Sequence, residues 1–136
     1  MIIKTVGQQF VAQTWHLIEK FIAKSHQGGG GQDYSIDQIK VYLANGQWLL
    51  VVAVDENNVI HGAMTLSFVN YPNDRIAFVT TTGGKGIISK DSLKQLKDIV
   101  KQYGATKVQA AVRPSMERLL NRADFYTKYK IVESKI

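Results

Sequence analysis

Apolar residues recur along the first part of the chain at steps of three and four. Phe10, Val11, Thr14, Trp15, Ile18, Phe21 and Ile22 share one face, so the spacing predicts an amphipathic helix over 8–24. Gly28-Gly29-Gly30-Gly31 stops it. Four glycines offer no side chain to pack and no preferred backbone, which predicts a flexible loop. Ser35-Ile36-Asp37-Gln38 has the spacing of a capping box. A short helix follows, with Ile36, Ile39 and Leu43 on one side, and it ends near Asn45-Gly46.

The period then changes. Trp48 to Val54 is an almost unbroken apolar run rich in β-branched residues and reads as a buried strand. Asp55-Glu56-Asn57-Asn58 is a turn, Val59–Val69 a second strand, Tyr71-Pro72-Asn73-Asp74 another turn, and Arg75–Thr82 a third strand. Short connections make these three antiparallel. A helix over about 89–103 buries Leu93, Leu96, Ile99, Val100 and Tyr103 and carries Lys90, Lys94, Lys97 and Lys101 as the opposite stripe; Gly104 stops it. Lys107–Val112 reads as a strand parallel to 75–82 through a right-handed crossover. Ser115 caps a helix over 116–123, and Tyr126–Val132 reads as a closing strand. A short opening strand fits Ile2–Val6. The expected fold class is α/β: a mixed, mostly antiparallel sheet with helices on both faces, ordered α-α-β-β-β-α-β-α-β.

The 136 residues are one domain's worth, 1–136, and no linker or repeat divides them. With 45% hydrophobic and 21% charged residues the composition is globular. The absence of cysteine excludes disulfides, thiolate metal sites and cysteine nucleophiles. No stretch approaches the roughly 18 apolar residues of a membrane span. The opening residues lack the apolar run of a signal peptide, so the simplest location is the cytoplasm. The net charge of +6 is unevenly placed: residues 1–84 carry five basic and six acidic side chains, residues 85–136 twelve and five. The C-terminal half therefore suits an anionic partner, either a phosphorylated cofactor or a nucleic acid.

One segment has chemistry in it. The strand Ile76–Thr80 runs into Thr81-Thr82-Gly83-Gly84-Lys85-Gly86, and a helix follows. Glycines let successive amides turn toward one point, and the helix adds free N-terminal amides and the positive end of its dipole. That arrangement suits a pyrophosphate. Glycines also serve simply to turn a chain from strand to helix. There is no Gly-Lys-Ser/Thr, so this is not a nucleoside-triphosphate loop. His16, His26 and His61 have no metal-ligand spacing, and no serine stands in a Gly-x-Ser-x-Gly setting.

The element order resembles that of the GNAT N-acetyltransferases. Thr81–Gly86 is similar to that family's Arg/Gln-x-x-Gly-x-Gly/Ala cofactor loop at Gly84 and Gly86, with Thr81 in the Arg/Gln place. Val59–Ala63 looks like the opening of the family's third strand, and Met116–Phe125 resembles its last helix, with Asp124 where a glycine is usual. The resemblance covers residues 8 to 132. It implies acetyl-CoA as cofactor and an amine acceptor, a small molecule or a protein, with direct transfer in a ternary complex. It further implies pantetheine pairing with the backbone of Phe78, Val79 and Thr80, pyrophosphate on the amides of Thr82, Gly83, Gly84, Lys85, Gly86 and Ile87, and added charge from the Lys85 side chain. The family's tyrosine acid aligns with Leu120. Tyr126 and Tyr129 lie downstream as substitutes or as strand packing, and the strand before the loop offers no glutamate base. The alternative is a GNAT-fold binding or structural protein without catalysis, such as a viral accessory or assembly component. A third reading is a nucleic-acid binder using the lysine stripe, although no aromatic residues interleave with that stripe.

Overall fold

A computed structural model describes residues 1–28 and 33–136. Most of the tetraglycine segment, residues 29–31, lies outside the described residues. The elements are β1 (Ile2–Val6), a single 3-10 turn at Gln8–Phe10, α1 (Val11–Gly28), α2 (Ile36–Ala44), β2 (Leu49–Val54), β3 (Ile60–Asn70), β4 (Arg75–Gly84), α3 (Lys90–Gln102), β5 (Lys107–Ala110) and α4 (Pro114–Asn121).

The five strands lie in sequence order in one sheet. β1 to β4 are antiparallel neighbours, and β5 pairs with β4 in parallel, as a strand–helix–strand crossover requires. Alternation along the strands makes two cores. Val11, Trp15, Ile18 and Ile22 of α1 and Ile39 and Leu43 of α2 pack on Leu50, Val52, Val54 and Ala63. Leu93, Leu96 and Val100 of α3 and Leu120 of α4 pack on Ile3, Val51, Ala53, Met64, Leu66 and Ala77. The sheet is thus the middle of three layers, and β2, β3 and β4 are buried on both sides.

Local chemistry fixes the helix starts. Ser35 and Gln38 form both bonds of the capping box: the Gln38 amide donates to Ser35 Oγ (3.1 Å) and the Ser35 amide to Gln38 Oε1 (2.9 Å). Ser89 caps α3 by accepting from the Ser92 amide (3.0 Å). α4 starts with Pro114, where a missing amide costs nothing, rather than being capped by Ser115.

The structure corrects the last strand. Residues 125–136 form no ladder, and Tyr126, Tyr129, Ile131 and Val132 are exposed. The alternation that predicts a strand is present, but strand propensity needs a neighbour to bond to. Asp124, in a left-handed conformation (φ 68°), redirects the chain after α4, and the Thr127 hydroxyl donates to Glu117 at the other end of α4. The tail is thereby tied to a helix instead of to the sheet edge.

Candidate functional site

The site is built by β4 parting from β5. The parallel ladder pairs Ile76 with Lys107, Ala77 with Val108, Phe78 with Gln109 and Val79 with Ala110, then ends. β4 continues for five more residues with only β3 beside it. A bulge sits where the two courses meet: Leu66 faces Val79 and Thr65 faces Thr81, so Thr80 is the extra residue. Phe78 and Val79 therefore lie within the ladder to β5, and the free edge of β4 opens at Thr80.

Three hydroxyls hold this bulge. Thr65 Oγ1 lies 2.7 Å from Thr80 Oγ1 and 2.6 Å from Thr81 Oγ1, and the Thr80 hydroxyl reaches the Thr65 carbonyl at 3.0 Å. Each hydroxyl has one proton. If Thr80 donates to the carbonyl, Thr65 must donate to Thr80 and Thr81 to Thr65, which orders the chain of bonds completely. Thr81 is buried, so its departure from the Arg/Gln pattern has a local explanation: its side chain secures the bulge from the α1–α2 side.

The glycine turn divides into two parts. In the first, the protein itself uses the available groups. The Thr82 amide donates to Ser25 Oγ at the end of α1 (3.1 Å), and the Lys85 amide to the His61 carbonyl (2.8 Å). Gly83 and Gly84 are still in register with Ala63 and Gly62 of β3. A Cβ on Gly83 would lie 2.1 Å from the Phe21 carbonyl oxygen, and one on Gly84 2.4 Å from the His61 carbonyl oxygen. Glycine is needed here because α1 and β3 press on the backbone. In the second part, the amides of Gly86, Ile87 and Ile88 have no acceptor among the described residues. Gly84 (φ 92°) and Gly86 (φ 74°) take left-handed backbone conformations that favour glycine. The N-terminus of α3 follows directly, and the Lys85 side chain is exposed beside it.

Two further features tune the turn. Thr82 Oγ1 is buried without a hydrogen-bond partner among the described residues. Asp91 stands in the first turn of α3, where it complements the dipole that an incoming anion would also use; its carboxylate accepts from Gln95 Nε2 (2.9 Å).

His61, without metal-ligand spacing in the sequence, proves to be structural in another way. Its Nε2 lies 2.7 Å from Asp55 Oδ2, while Asp55 Oδ1 accepts the Asn57 and Val59 amides of the β2–β3 turn. The His61 contact first, and then these amides, hold the Asp55 carboxyl below the ordinary carboxylate range. One side chain thus closes the hairpin and steadies the residue whose carbonyl carries the Lys85 amide. The signal was available in the sequence as Asp55 and His61 six apart across a turn. The remaining candidates are scattered. Leu120 is in the core under α4; Tyr126 and Tyr129 are on the exposed tail; Asp74 accepts from Lys107 Nζ (3.0 Å) and the Thr106 hydroxyl (3.0 Å) at the opposite end of β4. No group of His, Cys, Asp and Glu able to hold a metal occurs among the described residues.

No family model matches the sequence, and none of the curated proteins matches it. Solved structures do. An aminoglycoside acetyltransferase from an uncultured soil metagenomic sample, in complex with sisomicin, superposes with a TM-score of 0.69 at 11% identity over 99% of this chain and 94% of its own. A predicted acetyltransferase of Clostridium acetobutylicum, with acetyl-CoA, gives 0.67 at 15% identity over 98% and 95%. A GNAT family acetyltransferase of Staphylococcus aureus gives 0.66 at 11% identity over 99% and 98%. The architecture of this chain is therefore the GNAT acetyltransferase fold.

Proposed function

We propose that the chain binds acetyl-CoA and transfers the acetyl group to an amine. The observation that carries this reading is the free stretch of amides at Gly86, Ile87 and Ile88, placed at the N-terminus of α3 and at the end of an unpaired β4 edge. A diphosphate needs several free donors with positive potential behind them, and the unpaired amides beside the start of α3 support this reading. Acetyl-CoA contributes an activated acetyl thioester. The chain's residues would orient it: the β4 edge from Thr80 onward for the pantetheine, and Gly86 to Ile88 with the Lys85 side chain for the diphosphate. The sequence-based assignment of Thr82 and Lys85 amides to the diphosphate is narrowed accordingly, because each already has a protein acceptor. Titration calorimetry with CoA tests the binding step, and turnover with a panel of amines tests transfer. No heat at millimolar CoA would end this reading.

A second reading has its own support. Leu120 stands where the resemblance places a proton-donating tyrosine, and it is only 8% exposed in the core. Binding of CoA with no turnover on any amine would favour a fold retained as a binding module. Turnover abolished by Gly86→Asp, in a variant that still folds, would exclude it.

A further inference from the structure

The lysine stripe of α3 does not stand alone. Lys97, in the middle of it, lines a cavity of about 170 Å³ together with Lys107 and Gln109 of β5 and Tyr126 and Lys128 of the C-terminal tail. The tail therefore runs along the outer edge of β5 without bonding to it, leaving a groove between them. Tyr126, far from the stripe in sequence, is brought beside Lys97 by the fold, and Tyr129 follows three residues along the tail. Tyr126 is 77% exposed and Tyr129 60% exposed, and Lys128 Nζ sits over the Tyr129 ring, 5.1 Å from its centroid.

Three lysines, Lys97, Lys107 and Lys128, and the carboxylate of Asp124 line this groove, and further lysines of α3 and the tail lie beyond it. Lys107 is paired with Asp74, and Lys97 has Asp124 at 3.8 Å, a carboxylate that is 97% exposed. Lys90, Lys94, Lys101, Lys128 and Lys130 have no carboxylate within 4.0 Å among the described residues. Lys94, Lys97 and Lys101 recur at steps of three and four, so they face the same way along about 10 Å of helix. Tyr126 keeps an exposed ring, and the exposed Tyr129 ring has the Lys128 ammonium over one face.

We infer that this groove binds single-stranded nucleic acid, with its phosphates along the α3 stripe and Lys128 and its bases on Tyr126 and Tyr129. A basic track flanked by aromatic faces is the arrangement that holds a single strand without reading sequence. A duplex would hide the base faces that the tyrosines need. The groove is separate from the glycine turn, so the inference stands whether or not acetyl-CoA binds.

Fluorescence anisotropy with labelled oligo(dT) and oligo(U) 12-mers and a duplex of the same length tests it, using the full chain. With about four phosphates neutralised, affinity for single strands should fall about fifty-fold from 50 to 200 mM salt. Tyr126→Ala with Tyr129→Ala should weaken binding at least about tenfold with the salt slope unchanged, whereas Tyr126→Phe with Tyr129→Phe retains it. Lys94→Ala with Lys101→Ala should flatten the slope by about 1.4. A preference for oligo(U) or oligo(dT) identifies RNA or DNA as the source of the strand, and either supports the inference. Duplex bound as tightly as single strand, alanine variants that bind like the unaltered chain, or no binding at 50 mM salt would overturn it.

Discussion

The two parts of the glycine turn look alike in sequence and differ in what their backbone does. At Gly83 and Gly84 the chain is pressed between the end of α1 and β3, and the neighbouring Thr82 and Lys85 amides have protein acceptors. At Gly86, Ile87 and Ile88 the amides have no acceptor among the described residues, although the Ile87 side chain is buried. Glycine in the first part serves close packing, with a positive φ at Gly84 as well; at Gly86 the positive φ next to a helix N-terminus is the main demand. A glycine-rich strand-to-helix turn therefore does not by itself say which of its amides are open to a ligand.

The contrast can be broken most sharply at Gly83. Replacing it with alanine sets a methyl 2.1 Å from a helix carbonyl, so α1 or β4 must move. We expect a loss of about 3 kcal/mol or more in chemical denaturation, since overpacking against backbone has no flexible side chain to absorb it. Gly86→Ala should behave differently. Its Cβ would meet the Met1 side chain, which can move, and the main cost is the left-handed φ, about 1–2 kcal/mol. The larger effect there should be on CoA, with affinity falling at least about tenfold by calorimetry if the Gly86 amide is a ligand donor. A Gly86→Ala protein that binds CoA like the unaltered chain would break the distinction between the two parts.

Smaller effects sharpen it. Ser25→Ala removes the acceptor of the Thr82 amide. Stability should fall by about 1 kcal/mol, the ordinary net worth of a hydrogen bond, with CoA affinity unchanged or increased. A fall in CoA affinity would mean that the closed part of the turn also serves the ligand. Asp55 gives the weakest test. Its carboxyl is held below the ordinary range in the folded chain by His61 and the turn amides. Its contribution is therefore present above the unfolded value near pH 3.9 and is lost as pH falls through the lower folded value. Unfolding followed from pH 6 to 2 should show Asp55→Asn with a flatter acid limb than the unaltered chain.

Much of this architecture is legible in local pattern. The capping box at Ser35, the apolar run at 48–54 and the helix stops at Gly46 and Gly104 depend on neighbours in sequence, and they appear where local chemistry puts them. What lies beyond local pattern is tertiary. Tyr126–Val132 alternates like a strand, yet Asp124 and the Thr127–Glu117 bond lead it away from a ladder. Thr81 looks like a missing ligand group until Thr65 and Thr80 are seen beside it. Gly83 looks like part of an anion cradle until the Phe21 carbonyl appears above it. In each case the deciding partner is distant in the chain or on another element.

The central claim is that the outer part of the turn, and not the inner, meets the diphosphate of acetyl-CoA. Amide resonances of an isotopically labelled chain titrated with CoA report on it residue by residue. The largest shifts are expected at Gly86, Ile87 and Ile88, with Thr82 and Lys85 little changed. Saturation by CoA with shifts centred on Thr82 and Lys85, or no shift in the turn at millimolar CoA, would contradict it.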